Sequence, residues 1–176
     1  MTIKTMIKHA PKILKDFIIS DNFSFETYST IWKNGTTIAI DFPEEKDENQ
    51  WLNNNLNLIN EELNWIEKNK DKIEELLLEN NCLELAEEWA SSYPLLDCVE
   101  EECYVMEDGK KVFFPITTDD FSNSLYIETI SMKFDKCRET PLLELIILCN
   151  PDYFTGHCLM VDIDKNKSLK YKGLWG

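Results

Sequence analysis

The sequence predicts an α+β domain, with an N-terminal β-hairpin, a helical middle and a C-terminal antiparallel four-strand meander. Three observations carry this. Apolar residues alternate with a period of two before Pro43 and again after Tyr126. Between them, Leu52, Leu56, Ile59, Leu63 and Ile66 recur at alternating spacings of four and three, the repeat of one helix face. The 176 residues, 43% apolar and 11% aromatic, suffice to bury one core. Residues 1–176 are read as a single domain: 1–22 an N-terminal extension, 41–108 an acidic helical and loop segment, 109–176 the C-terminal sheet.

The extension carries Lys4, Lys8, Lys12 and Lys15 among Ile3, Met6, Ile7, Ile13 and Leu14, interrupted by Pro11. This pattern suits a strand or helix edge packed on the domain, with a membrane-surface helix as the alternative. No apolar run followed by a cleavage site marks a secretory signal, so a cytoplasmic location with reduced thiols is expected. The run Leu145 to Cys149 is too short to span a bilayer.

Phe25 to Trp32 and Thr36 to Phe42 flank Lys33-Asn34-Gly35, and Asn-Gly tolerates the positive φ of a tight turn. Ile38, Ile40 and Phe42 share one face of the second strand. After the long helix, Ile73, Leu76, Leu77 and Leu78 mark a second, and Leu83, Leu85, Ala86 and Trp89 a third beyond Asn80-Asn81. Ser91 to Gly109 reads as a loop, Val112 to Phe114 as a short strand, and Thr118-Asp119-Asp120-Phe121 as a capped start of a short helix. Strands follow at Tyr126 to Phe134, Leu143 to Cys149, Cys158 to Ile163 and Ser168 to Trp175.

The formal charge is −15, and it is unevenly placed. Residues 41–108 hold 21 acids and 4 bases, a net of −17, leaving the remainder at +2. Nucleic acid and anionic lipid are disfavoured as partners, because both are held mainly by Lys and Arg. A concentrated negative field instead suits a basic protein partner, whose association it steers. The residues expected to form that partner-binding surface are Glu44, Glu45, Asp47, Glu48, Glu100, Glu101 and Glu102.

No phosphate-cradling glycine loop, nucleophile elbow or zinc-protease helix is present, so no catalytic residue and no cofactor is assigned. None of the six cysteines forms a CxxC pair, and two histidines give little for zinc. Cys98 and Cys103 are the closest pair, but Glu100 to Glu102 between them raise thiol pKa values and oppose reactivity. His157, in Asn150-Pro-Asp-Tyr-Phe-Thr-Gly-His157, admits two readings. It fixes the turn through the loop backbone, or it anchors a small-molecule or metal site with Asp152, Tyr153 and Phe154, oriented by Asp152 or Asp162.

Asp152-Tyr-Phe-Thr-Gly-His157, Val161-Asp-Ile-Asp164 and the closing Gly173-Leu-Trp-Gly176 resemble the end of a bacterial domain family of unknown function. Its members end in an aromatic-x-Gly-His strand start, an alternating strand and Gly-Leu-x-Gly. The hairpin, the helical segment ending near Trp89 and Ile116-Thr-Thr-Asp-Asp-Phe121 agree in order, from about Phe23 onward. The chain departs from the family in its long acidic stretch from Ser91 to Gly109. Relatives beside polymorphic toxins look like immunity proteins, so the resemblance implies a protein-binding role against a toxin and names no catalytic residue.

Overall fold

The structure is a computed structural model that describes residues 18–20, 24–32, 34–43, 48–96, 102–135 and 140–176. It opens with β1 (Ile18–Ser20), β2 (Ser24–Ile31) and β3 (Asn34–Asp41). β2 and β3 pair from Ser24↔Asp41 to Ile31↔Asn34, so Asn34 and Gly35 lie in the ladder and the turn falls earlier, at Trp32. This corrects the expected turn by two residues. The cause is tertiary: Trp32 takes φ 51°, its buried backbone N–H donates to Glu67 Oε2 at 2.8 Å, and its indole N–H donates to the Ile66 carbonyl at 3.4 Å. Anchoring a large aromatic outweighs the local preference of Asn-Gly. Ile38, Ile40 and Phe42 are buried on one face, as expected.

The helical layer comprises α1 (Glu48–Lys68), α2 (Lys70–Glu79) and α3 (Cys82–Ala90). All five periodic residues of α1, Leu52 to Ile66, are buried. In α2 the buried pair is Ile73 and Leu77; in α3 the small residues Cys82, Ala86 and Ala90 face inward, while Leu83, Leu85 and Trp89 pack at the margin of the core. Asn81, at φ 57°, turns the chain between α2 and α3, a left-handed conformation that Asn adopts more readily than most residues.

Ser91 to Gly109 is not merely a loop. β4 (Leu95–Leu96), β5 (Cys103–Val105) and β6 (Lys111–Phe113) form a small antiparallel sheet with Cys103 buried in it, closed onto the core by Met106 and Val112. Strands of two or three residues are too short to reveal a period of two in sequence. α4 (Thr118–Ser124) follows; its N-cap is Thr117, one residue before the expected position, with Oγ1 accepting from the Asp120 N–H.

β7 (Leu125–Lys133), β8 (Leu142–Cys149), β9 (Cys158–Ile163) and β10 (Leu169–Trp175) are consecutive antiparallel neighbours. They are not a separate meander, because β3 pairs parallel with β7 and joins everything into one sheet of order β1-β2-β3-β7-β8-β9-β10. At that junction a bulge interrupts β7 after Ile127, whose carbonyl accepts a 2.9 Å hydrogen bond from the buried Thr36 hydroxyl. Leu143, Leu145, Ile147, Leu159, Val161 and Ile163 point into the core with the helices. Among the described residues no helix is long and apolar enough to cross a membrane.

Candidate functional site

The helical layer carries its acids in rows. Asp71, Glu75 and Glu79 recur at intervals of four along α2, and Glu84 and Glu88 do so along α3; all five are exposed, as is Glu61 on α1. Like charges one helical turn apart cost a few tenths of a kcal/mol per pair in an isolated helix. The sequence therefore tolerates a local penalty to keep that face negative. Lys68 and Lys72 are the exposed bases of the same helices.

Other acids of this segment are structural. Glu62 is buried and takes the ammonium of Lys167, which sits 5.4 Å from the centroid of the Trp65 ring. Glu67 binds Trp32, and Glu87 Oε1 accepts the Ile116 N–H at 2.9 Å. Lys70 is withdrawn from the outer rows: it pairs with Glu74, donates to the Ser122 carbonyl at 3.3 Å and lies 5.5 Å from the centroid of the Trp32 ring. These bonds tie α1, α2 and α3 to the hairpin, the β9–β10 turn and the approach to α4.

Of the residues expected to bind a partner, Glu102 is exposed just before β5 and Glu48 begins α1. Glu44, Glu45, Asp47, Glu100 and Glu101 lie outside the described residues, as do Cys98, Cys137 and the basic extension up to Phe17. The acidic rows on α2 and α3 were visible as sequence spacing, yet their grouping on one layer needed the packing of the helices.

The four residues expected around a ligand share one loop between β8 and β9, and each has an internal partner. Asp152 accepts the N–H of Phe154 at 3.2 Å and of Gly156 at 2.7 Å. Tyr153 and Phe154 are buried. His157 Nδ1 lies 2.9 Å from the Phe154 carbonyl, and its ring meets Trp89 edge-on with centroids 5.0 Å apart. Gly176 lies so close that a Cβ there would collide with the imidazole. The backbone N–H of His157 also donates to the Phe154 carbonyl, at 3.0 Å. Among the described residues no three His, Cys, Asp or Glu side chains converge as a metal site requires.

Tyr153 also lines a hollow of about 230 Å³ between β6, α4 and this loop, together with Ser124, Asp120 and Lys111 among others. Burial pushes the Tyr153 phenol up to about 12 and the Cys149 thiol likewise to about 12, against the opposing hydrogen bonds of Ser124. Both groups are therefore protonated at neutral pH and supply neither a base nor a thiolate.

Residues 12–174 match the family described as "Uncharacterized protein conserved in bacteria", DUF2262. The chain belongs to this family. The DUF2262 match takes in the hairpin, the helical layer, both sheets and the His157 loop. No curated protein and no solved structure matches the chain.

Proposed function

We propose that this DUF2262 protein is a protein-binding module whose acidic helical layer receives a basic partner, and that it acts as an immunity protein covering the active surface of a toxin. The observation that supports this most is the exposed like-charge spacing of Asp71, Glu75, Glu79, Glu84 and Glu88. Such a field accelerates encounter with a basic surface and competes for the same contacts as nucleic acid. Glu102, exposed, extends the candidate surface, and Glu44, Glu45, Asp47 and Glu48 with Glu100 and Glu101 belong to the same proposal. The ligand reading at Asp152, Tyr153, Phe154 and His157 draws less support, since the Asp152 carboxylate and His157 Nδ1 already have partners within the loop.

The test uses a basic protein encoded beside this one, with association followed by stopped flow at several salt concentrations. Reversing Glu75, Glu79 and Glu84 to Lys is expected to slow association about tenfold and to flatten its salt dependence. An on-rate that charge reversal leaves unchanged excludes the acidic layer as the docking face.

A further inference from the structure

The large sheet has a second face, and strand pairing defines it row by row. Glu26, Ala39, Ser131, Glu144, Asp162 and Lys170 align across six strands from β2 to β10. Tyr28, Thr37, Thr129, Ile146, Met160 and Gly173 form the adjacent row. All alternate with core residues, so they point away from the helices. Whereas the inward residues are buried, these range from partly open to Tyr28 at 66% exposure, and Trp175 beside them is 55% exposed.

We propose that this face docks a second copy of the chain as a two-fold dimer, with strand order reversed across the interface. Charge supplies the first reason. Glu26, Asp41, Glu128, Glu144 and Asp162 stand there against Lys133, Lys170 and Lys172, a net of −2, and Lys133–Glu144 and Lys172–Asp162 already pair within one copy at 3.7 and 3.3 Å. Two acidic helical layers repel each other; two sheet faces, where acids and bases are interspersed, do so far less.

The second reason is self-complementarity. A two-fold axis parallel to the strands, between β7 and β8, brings β2 of one copy over β10 of the other. Glu26 then opposes the second copy's Lys170, at the far end of the same row. Tyr28, the most exposed aromatic among the described residues, opposes Gly173, beside which the exposed Trp175 indole offers a ring to pack against. Thr129 and Ile146 meet their counterparts at the centre. Aligned sheets pack in this manner with strands within about 30°.

Area is the third. Six strands about 4.8 Å apart span about 24 Å, and strands about 20 Å long then give about 500 Å² per copy, about 1,000 Å² in total, at the lower limit for a specific interface.

Sedimentation of the full chain at low ionic strength, from about 1 to 100 µM, reads the outcome directly. The expected species has twice the 20.7 kDa chain mass. Ile146→Glu is expected to give a monomer with an unchanged circular dichroism spectrum. Glu26→Lys and Lys170→Glu, both at exposed positions, are each expected to raise the dimer Kd at least about tenfold, and the double variant to restore it. A wild-type chain that stays monomeric throughout overturns the proposal. So does a dimer that folded Ile146→Glu leaves intact, or a charge swap that fails to rescue.

Discussion

Cys149 ends β8 almost completely enclosed, and burial holds its thiol at a pKa of about 12 against an ordinary value of 9.0. Between those two values the unfolded chain has released this proton while the folded chain retains it. Folding stability is therefore whole below pH 9.0 and declines as pH rises toward about 12, by about 1.4 kcal/mol per pH unit for this one group. Tyr153, pushed by burial from 10.0 to about 12, adds the same sign above pH 10.0. In urea unfolding followed from pH 7 upward, Cys149→Ala is expected to be less stable than wild type at neutral pH yet to show a shallower alkaline decline. Equal slopes in the two proteins would mean that the thiol titrates alike in both states. At this scale the sequence was informative about Cys149, an apolar-flanked cysteine in a strand. It was silent about Glu62, Glu67 and Glu87, whose partners Lys167, Trp32 and Ile116 are remote in the chain and carry no local signature.

At the scale of elements, legibility followed length. α1 spans 21 residues, enough turns for its apolar spacing to identify both the helix and its buried face. β4 and β5 span two and three residues, and only their pairing, β4 with β5 and β5 with β6, makes them strands. The hairpin and α4 were recognised but displaced by two residues and by one, and substitutions can locate both boundaries. Gly35 is exposed, has room for a Cβ and lacks a positive φ, so Gly35→Ala should be neutral or stabilise by about 0.5 kcal/mol. Were Asn34-Gly35 the turn, the same change would cost stability. Thr117→Ala should cost about 1 kcal/mol through loss of the cap to Asp120, and Thr118→Ala much less. Thermal unfolding of the three variants decides both positions.

For the whole molecule, the uneven charge noted in the sequence becomes a two-sided object. One side is a helical layer with like charges at one-turn spacing; the other is a nearly neutral sheet face. The layer was legible because acids and helical period coincide in residues 41–108. The sheet face was not, since its rows combine residues from six strands and exist only once the β3–β7 pair sets the register. Repulsion within the acidic layer makes a further expectation concrete: raising NaCl from about 0.05 to 0.5 M should increase the melting temperature, because screening relieves the folded state more than the expanded chain. A melting temperature that falls with salt would show that the ion pairs, such as Lys167 with Glu62, outweigh the repulsion.

The parallel pairing of β3 with β7 joins Thr37 to Thr129, residues about ninety positions apart, while the other neighbours in the large sheet are chain-consecutive. Closing so long a loop is entropically costly and slow, and local hairpins form first. The hairpin of β2 and β3 and the four strands from β7 to β10 are thus two prefabricated halves, brought together when the intervening helices fold. A break in the covalent chain at the β4–β5 connection would leave each fragment with its own antiparallel pairing and one unsatisfied parallel edge. That edge is the seam along which the two pieces would reassemble.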